Sequence, residues 1–290
     1  MSPRSLVGAA VCALTVVVAV SVAATPIQPI ARRSASRDAS FSASRSAGRT
    51  ASLGATPSTQ APALQAAGAG RTTQAPGTAG AVTGRIKLEG TAPAARVIRM
   101  GADPICQRES KGATSDVLVV GQGNALQNVF VYVRDGLGTR TFPAPKTPIV
   151  LDQKGCRYQP HVFGVQVGQP IQIVNSDPTL HNVHAVPKTN TEFNFGQPLA
   201  GMKATKTFDK PEIMVPFRCD VHGWMNAYAG VVAHPFFAVT KADGSFEIKG
   251  LPAGTYTIEA WHERLGVQTA KITVDAKGTG SASFAFAMKS

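Results

Sequence analysis

The chain predicts an all-β protein, two β-sandwiches behind a disordered N-terminal tail. Short runs with apolar and polar residues in alternation, such as "VFVYV", "FGVQV", "IQIV", "SFEIK" and "TYTIEA", recur from about Val82 to Phe286, and such alternation gives a strand one buried face. Gly, Pro and Asp punctuate these runs, as turns between strands require. No long segment repeats at the period of a helix.

Taken in order, residues 1–24 read as a secretion signal. Arg4 gives a short basic start, Leu6 to Ala23 an apolar run, and Val22-Ala23-Ala24 a cleavage site. The alternative is an uncleaved membrane anchor, which a run of about 18 residues barely permits. Export to a periplasmic or extracellular compartment is the expectation. Residues 25–81 are mainly Ala, Ser, Thr, Pro, Gly and Arg, with Phe41 the only aromatic residue, so they cannot bury enough apolar surface to offset chain entropy and read as a disordered linker. Eight arginines against Asp38 in residues 1–85 account for +7 of the formal net charge of +12. The basicity therefore belongs to the tail, where it suits a solvated linker or contact with an anionic envelope surface rather than nucleic acid.

Residues 82–147, with "GRIKLEG" and "NVFVYVRDG", form a first β segment. Residues 148–233 form a second and residues 234–290 a third, in which Asp243-Gly244 and Pro252-Ala253-Gly254 mark two turns.

Cysteine arithmetic separates two roles. Cys12 leaves with the signal, so Cys106, Cys156 and Cys219 remain. In an oxidising compartment Cys106 and Cys156 can pair, and Cys219 is then the odd thiol. A lone cysteine is commonly a small buried hydrophobe, but "CDVHGWM" sets His222 and Met225 at two-residue spacings behind Cys219. Thiolate and thioether are soft donors that suit copper, and two histidines, one cysteine and a weak axial methionine form the donor set of electron-transfer copper. A second histidine must come from elsewhere, and "NSDPTLHNVH" offers His181 and His184. His161, His234 and His262 read as surface or internally satisfied residues.

These residues resemble the cupredoxins, the type 1 blue copper electron carriers of the amicyanin, pseudoazurin and plastocyanin kind. The likeness runs from about Pro148 to Val232, through "IVLDQKGCRYQP", "VQVGQPIQIVNSD", "HNVHAV" and "FRCDVHGWM". It implies a Greek-key sandwich with His181, Cys219 and His222 as equatorial ligands and Met225 as the axial one. It further implies that Asn175 and Asn182 support the site, with Asn175 bracing the cysteine loop. His222 would be partly exposed; Trp224 beside it reads either as core or, with Gly223, as part of an apolar docking patch. The sequence departs from the family in having Asp220, Val221 and Gly223 around His222 where a proline is usual; Asp220 should add negative charge beside the thiolate. Pro216 suggests that the preceding strand is an edge. "DGSFEIKGLPAGTYTIEAWHE" resembles a carboxypeptidase regulatory-like, or transthyretin-like, sandwich. "GRIKLEG…NVFVYVRDG" looks like its opening strands, so the copper segment can sit inside one such sandwich.

The resemblance implies an exported one-electron carrier with one copper ion and no enzyme activity. Its redox partner would be a cytochrome c or a periplasmic dehydrogenase, and it would have no small-molecule substrate. The alternatives are a non-catalytic surface protein binding a protein or carbohydrate, and a copper-handling protein. The latter typically uses exposed clusters of Met or His, whereas the six methionines here are scattered.

Overall fold

The computed structural model describes residues 79–288 apart from Ala102 and Lys277. The expected signal, and the expected disordered linker up to residue 78, lie outside the described residues. No helix among the described residues is long and apolar enough to cross a membrane.

The molecule is nearly all β. Its strands are β1 (Gly80–Glu89), β2 (Phe130–Asp135), β3 (Ile149–Gln153), β4 (Tyr158–Gln159), β5 (Val162–Gln166), β6 (Ile171–Asn175), β7 (His181–Ala185), β8 (Phe193–Gln197) and β9 (Lys203–Lys206). They continue as β10 (Glu212–Arg218), β11 (Asn226–Val232), β12 (Phe237–Val239), β13 (Ser245–Leu251), β14 (Gly254–His262), β15 (Gly266–Val274), β16 (Thr279–Ser281) and β17 (Phe284–Ala287). One short α-helix, α1 (Pro104–Glu109), and a 3-10 turn at Gln122–Asn124 lie between β1 and β2. β1 takes up Gly80 and Ala81, the last two residues assigned to the linker from sequence.

Four sheets make two sandwiches. In the first, β13, β1 and β16 form one sheet, with β17 also on β1, and β12, β2, β14 and β15 form the other. Val82, Ile86 and Leu88 of β1 face Val131 and Val133 of β2 and Tyr256 and Ile258 of β14 across one core. Strands from before residue 136 and after residue 236 thus complete one another. In the second sandwich the order β5-β11-β10-β7-β8 packs on β4-β3-β6-β9, around Leu151, Phe163, Ile173, Val183, Phe217 and Val231.

β5 is buried along its whole length because its two faces serve different cores. Phe163 and Val165 point into the second sandwich, while Val162 packs in a small cluster with Phe130 and Tyr132 of the first. Gly164 of β5 pairs directly with Gly230 of β11. A Cβ on Gly164 would lie 2.2 Å from the Phe237 ring, and one on Gly230 would lie 2.3 Å from the Phe130 ring. The paired glycines make the trough into which those rings fit.

Pro216 corrects one expectation, since β10 runs between β11 and β7 and is an inner strand. The β10–β7 ladder covers only Phe217 and Arg218. The Pro216 carbonyl accepts from the Val186 N–H, one residue past the end of β7, so the proline sits where that ladder ends and not on a sheet edge.

Candidate metal centre

The residues after β10 form a closed turn: the Met225 N–H donates to the His222 carbonyl at 2.8 Å, and the Cys219 N–H to the Met225 carbonyl at 3.1 Å. This turn gathers Cys219, His222 and Met225 at one end of the second sandwich, all buried. β7 begins at the same end, and its first side chain, His181, is fully buried. The donor atoms of His181, Cys219 and His222 lie within 4.8 Å of one another.

The two imidazoles meet Nδ1 to Nδ1 at 3.0 Å, and the Cys219 sulfur lies 3.8 Å from His222 Nδ1. The outer ring nitrogens are held by carboxylates: His181 Nε2 lies 2.9 Å from Asp177 Oδ2, and His222 Nε2 lies 3.0 Å from Asp103 Oδ2. A carboxylate draws the ring proton to Nε2 and leaves the Nδ1 lone pair facing inward. Backbone N–H groups of Asn182 and His222 point at the Cys219 sulfur, at 3.4 Å and 3.3 Å. Burial alone would raise the Cys219 thiol, but the His181 ring and these amides hold it below its ordinary value. Burial disfavours the charged form of His181, yet Asp177 and Cys219 push it up to about 9. Burial and the neighbouring His181 together lower His222 in spite of Asp103. The two Nδ1 atoms and the Cys219 sulfur thus form one cluster of inward-facing donors. Such a cluster is suited to a cation, and its nitrogen and sulfur types suit copper.

The supporting residues differ in part from those expected. Asn175 does not brace the cysteine loop. Its Nδ2 donates to the carbonyls of Thr179, at 2.9 Å, and Gln197, at 2.8 Å, and its Oδ1 accepts from the Asp177 N–H at 3.0 Å. It shapes the turn that presents Asp177 to His181. The brace on the cysteine loop is Asn182, whose Oδ1 accepts from the Asp220 N–H at 3.0 Å. Asp177 and Asp103 were missed from sequence. Asp177 stands four residues before His181, in a turn that gave no sign of where the outer ring nitrogen would point. Asp103 is followed by proline, a local signal for a helix N-terminus, and it caps α1 through Ile105 and Cys106.

A disulfide joins Cys106 to Cys156, and Cys219 is free and buried. It pins α1 over the site, with the Cys106 sulfur 3.8 Å from His222 Nε2. The expected exposure of His222 is therefore corrected: the ring is 3% exposed, beneath α1 and Trp224. Gly223 is exposed and Trp224 half-buried. The Trp224 ring lies 5.0 Å from that of His222, centroid to centroid, and its Nε1 donates to the Cys156 carbonyl.

His184 faces away from the donors, between Asp220, at 2.9 Å, and Glu192, at 2.7 Å. The Asp220 charge expected beside the thiolate is likewise turned outward, 3.1 Å from Arg218 Nε. His161 is buried between the Asn226 carbonyl and Glu263. His262 is also buried, its Nδ1 accepting from Arg264 and Leu265. His234 is half-buried, and its Nδ1 accepts from the Phe236 N–H.

A family model described as polysaccharide lyase family 4, domain II matches residues 209–282. No curated protein matches the chain. Among solved structures, a copper-containing nitrite reductase from Thermus scotoductus is similar at 22% identity over 33% of this chain, with a TM-score of 0.26. The chain spans 24% of that reductase. Two Cu(I) variants of amicyanin are similar at 21% identity, with TM-scores of 0.26 and 0.27. They are matched over 97% and 98% of their length and cover 35% and 36% of this chain.

Proposed function

We propose that the protein is an exported, mononuclear type 1 copper protein that carries one electron at a time between extracytoplasmic redox partners, and that it is not an enzyme. The observation that carries this reading is the facing pair of Nδ1 atoms at 3.0 Å, with a buried thiol beside them and each outer nitrogen on a carboxylate. His181, Cys219 and His222 would hold the ion, with Met225 as the fourth donor. Bound copper would supply a one-electron couple between Cu(II) and Cu(I). The chain supplies fixed geometry. Asp177 and Asp103 orient the two rings, Asn182 and the amides on the sulfur fix Cys219, and α1 excludes water. A site held this firmly has little rearrangement to undergo when its charge changes by one. The disulfide is compatible with an oxidising compartment, and a cytochrome c or a periplasmic dehydrogenase would suit as partner.

Addition of Cu(II) to the purified protein tests the reading: an intense visible thiolate-to-copper absorption is expected, and its absence with a folded, reduced Cys219 overturns it. The matched lyase domain supports a second reading, a non-catalytic sandwich that binds a polysaccharide. That reading gives no reason for the donors at 181, 219 and 222 to converge. It predicts glycan binding by the metal-free protein and no blue absorption.

A further inference from the structure

The burial of His222 raises the question of where an electron crosses the surface. The donors are closed off: His181 is 0% exposed, Cys219 2%, His222 3% and Met225 1%. Trp224 is the aromatic ring that both packs against a donor, 5.0 Å from His222, and reaches the surface. It lines a cavity of about 380 Å³ whose walls also include Arg96, Ile98, Arg99, Asp116 and Arg157. The wall is built. Residues 96–98 and 113–115 form a ribbon joined through Val97 and Thr114, with backbone bonds from Ile98 to Ala113 and from Ser115 to Arg96. Asp116 is taken up by Arg157 at 3.3 Å. Arg96 and Arg99 are exposed, and neither has a carboxylate partner among the described residues. The buried Arg157 Nε also has no partner.

We propose that electrons cross the surface at Trp224, not at His222, and that the redox partner docks an acidic face on Arg96 and Arg99. This rests on the copper reading. Tunnelling falls steeply with distance, so the ring in van der Waals reach of His222 is the favoured way out. Two uncompensated guanidiniums beside it attract an anionic surface and repel a cationic one. With copper held by His181, Cys219 and His222, each encounter would pass one electron from the reduced protein to an oxidised acidic redox protein, with no proton transferred.

Two measurements test it. Hexacyanochromate(III), a redox-inert paramagnetic trianion, should broaden the NMR signals of the Arg96–Arg99 amides and the Trp224 indole N–H in the metal-free full chain. Hexaamminechromium(III), a trication, should not. The Arg96→Glu, Arg99→Glu double variant should lose the trianion effect. In the copper-loaded protein, oxidation by hexacyanoferrate(III) at low ionic strength should slow about tenfold or more in the double variant, within the range that electrostatic steering covers. It should slow also in Trp224→Leu and less in Trp224→Phe, each with the blue band retained. Broadening centred on another face, or unchanged oxidation in a blue Trp224→Leu protein, overturns the proposal. A wild-type protein with no blue band defeats the copper reading instead, and the metal-free NMR experiment still decides whether the arginine face receives anions.

Discussion

Three donors converge at the candidate metal centre, and each has a partner behind it: Asp177, four residues away, for His181, the Asn182 and His222 amides for Cys219, and the distant Asp103 for His222. Cys219→Ser keeps the shape but removes the soft thiolate, so on the proposed copper reading the variant given Cu(II) should show no blue absorption while its far-ultraviolet circular dichroism stays that of a β protein. The histidines divide by strand face. His184→Gln should leave the visible spectrum nearly unchanged, whereas His181→Gly should lose the band and recover part of it when imidazole is added. Loss of the band in the first variant and retention in the second would reverse the assignment. That the two rings lie on opposite faces was legible, because the two residues between His181 and His184 set their faces in an extended chain; which ring would join Cys219 came from the resemblance. The carboxylates behind the rings were not legible. Asp103 is 119 residues from His222, and nothing within a short window of sequence encodes that meeting.

At the scale of elements, α1 has little to hold it by itself, since six residues are too few for a helix to be stable in water. Its position depends on the Cys106–Cys156 bond, which spans a sequence separation of 50 and, in the chain-entropy account, stabilises the fold by about 4 kcal/mol. Cys106→Ser with Cys156→Ser should lower the thermal midpoint and, by freeing Asp103 from His222, speed removal of copper by a chelator. Pairing was readable from the three cysteines that follow the expected signal; that one of them would carry a lid was not. Glu212 secures another element. Its carboxylate accepts from the N–H groups of Lys188, Thr189 and Asn190. Burial would raise it, but these bonds bring it from 4.5 to about 2. Because the folded value is the lower one, the stabilisation is complete above about 4.5 and is lost as pH falls through about 2. Amide exchange at residues 188–190 should accelerate in that acid window relative to the β11 amides, and Glu212→Gln should accelerate it at neutral pH.

Over the whole molecule, the two sandwiches meet where Gly164 and Gly230 admit the rings of Phe237 and Phe130. Neither glycine has a positive φ, so a substitution there acts through packing alone. Gly230→Ala should destabilise the protein by about 1–3 kcal/mol, the usual cost of overpacking, measured as a lower midpoint in denaturant with the slope unchanged. An equal or higher midpoint would show that the rings move aside freely. Alternation in "FGVQV" marked a strand, but burial on both faces depends on a second sandwich, which the run itself does not announce.

The pairing of β1 with β17 has a mechanical consequence. These two strands run parallel, so tension applied at Gly80 and Ala287 loads all their hydrogen bonds together in shear instead of peeling them apart singly. The segment holding the donors leaves after β2 and returns at β12, and those strands pair with Phe237 opposite Tyr132. Its two ends are thus neighbours, so a pull along the chain bypasses it. In single-molecule extension the first rupture should be the β1–β17 shear, and the donor cluster should keep its geometry up to that force.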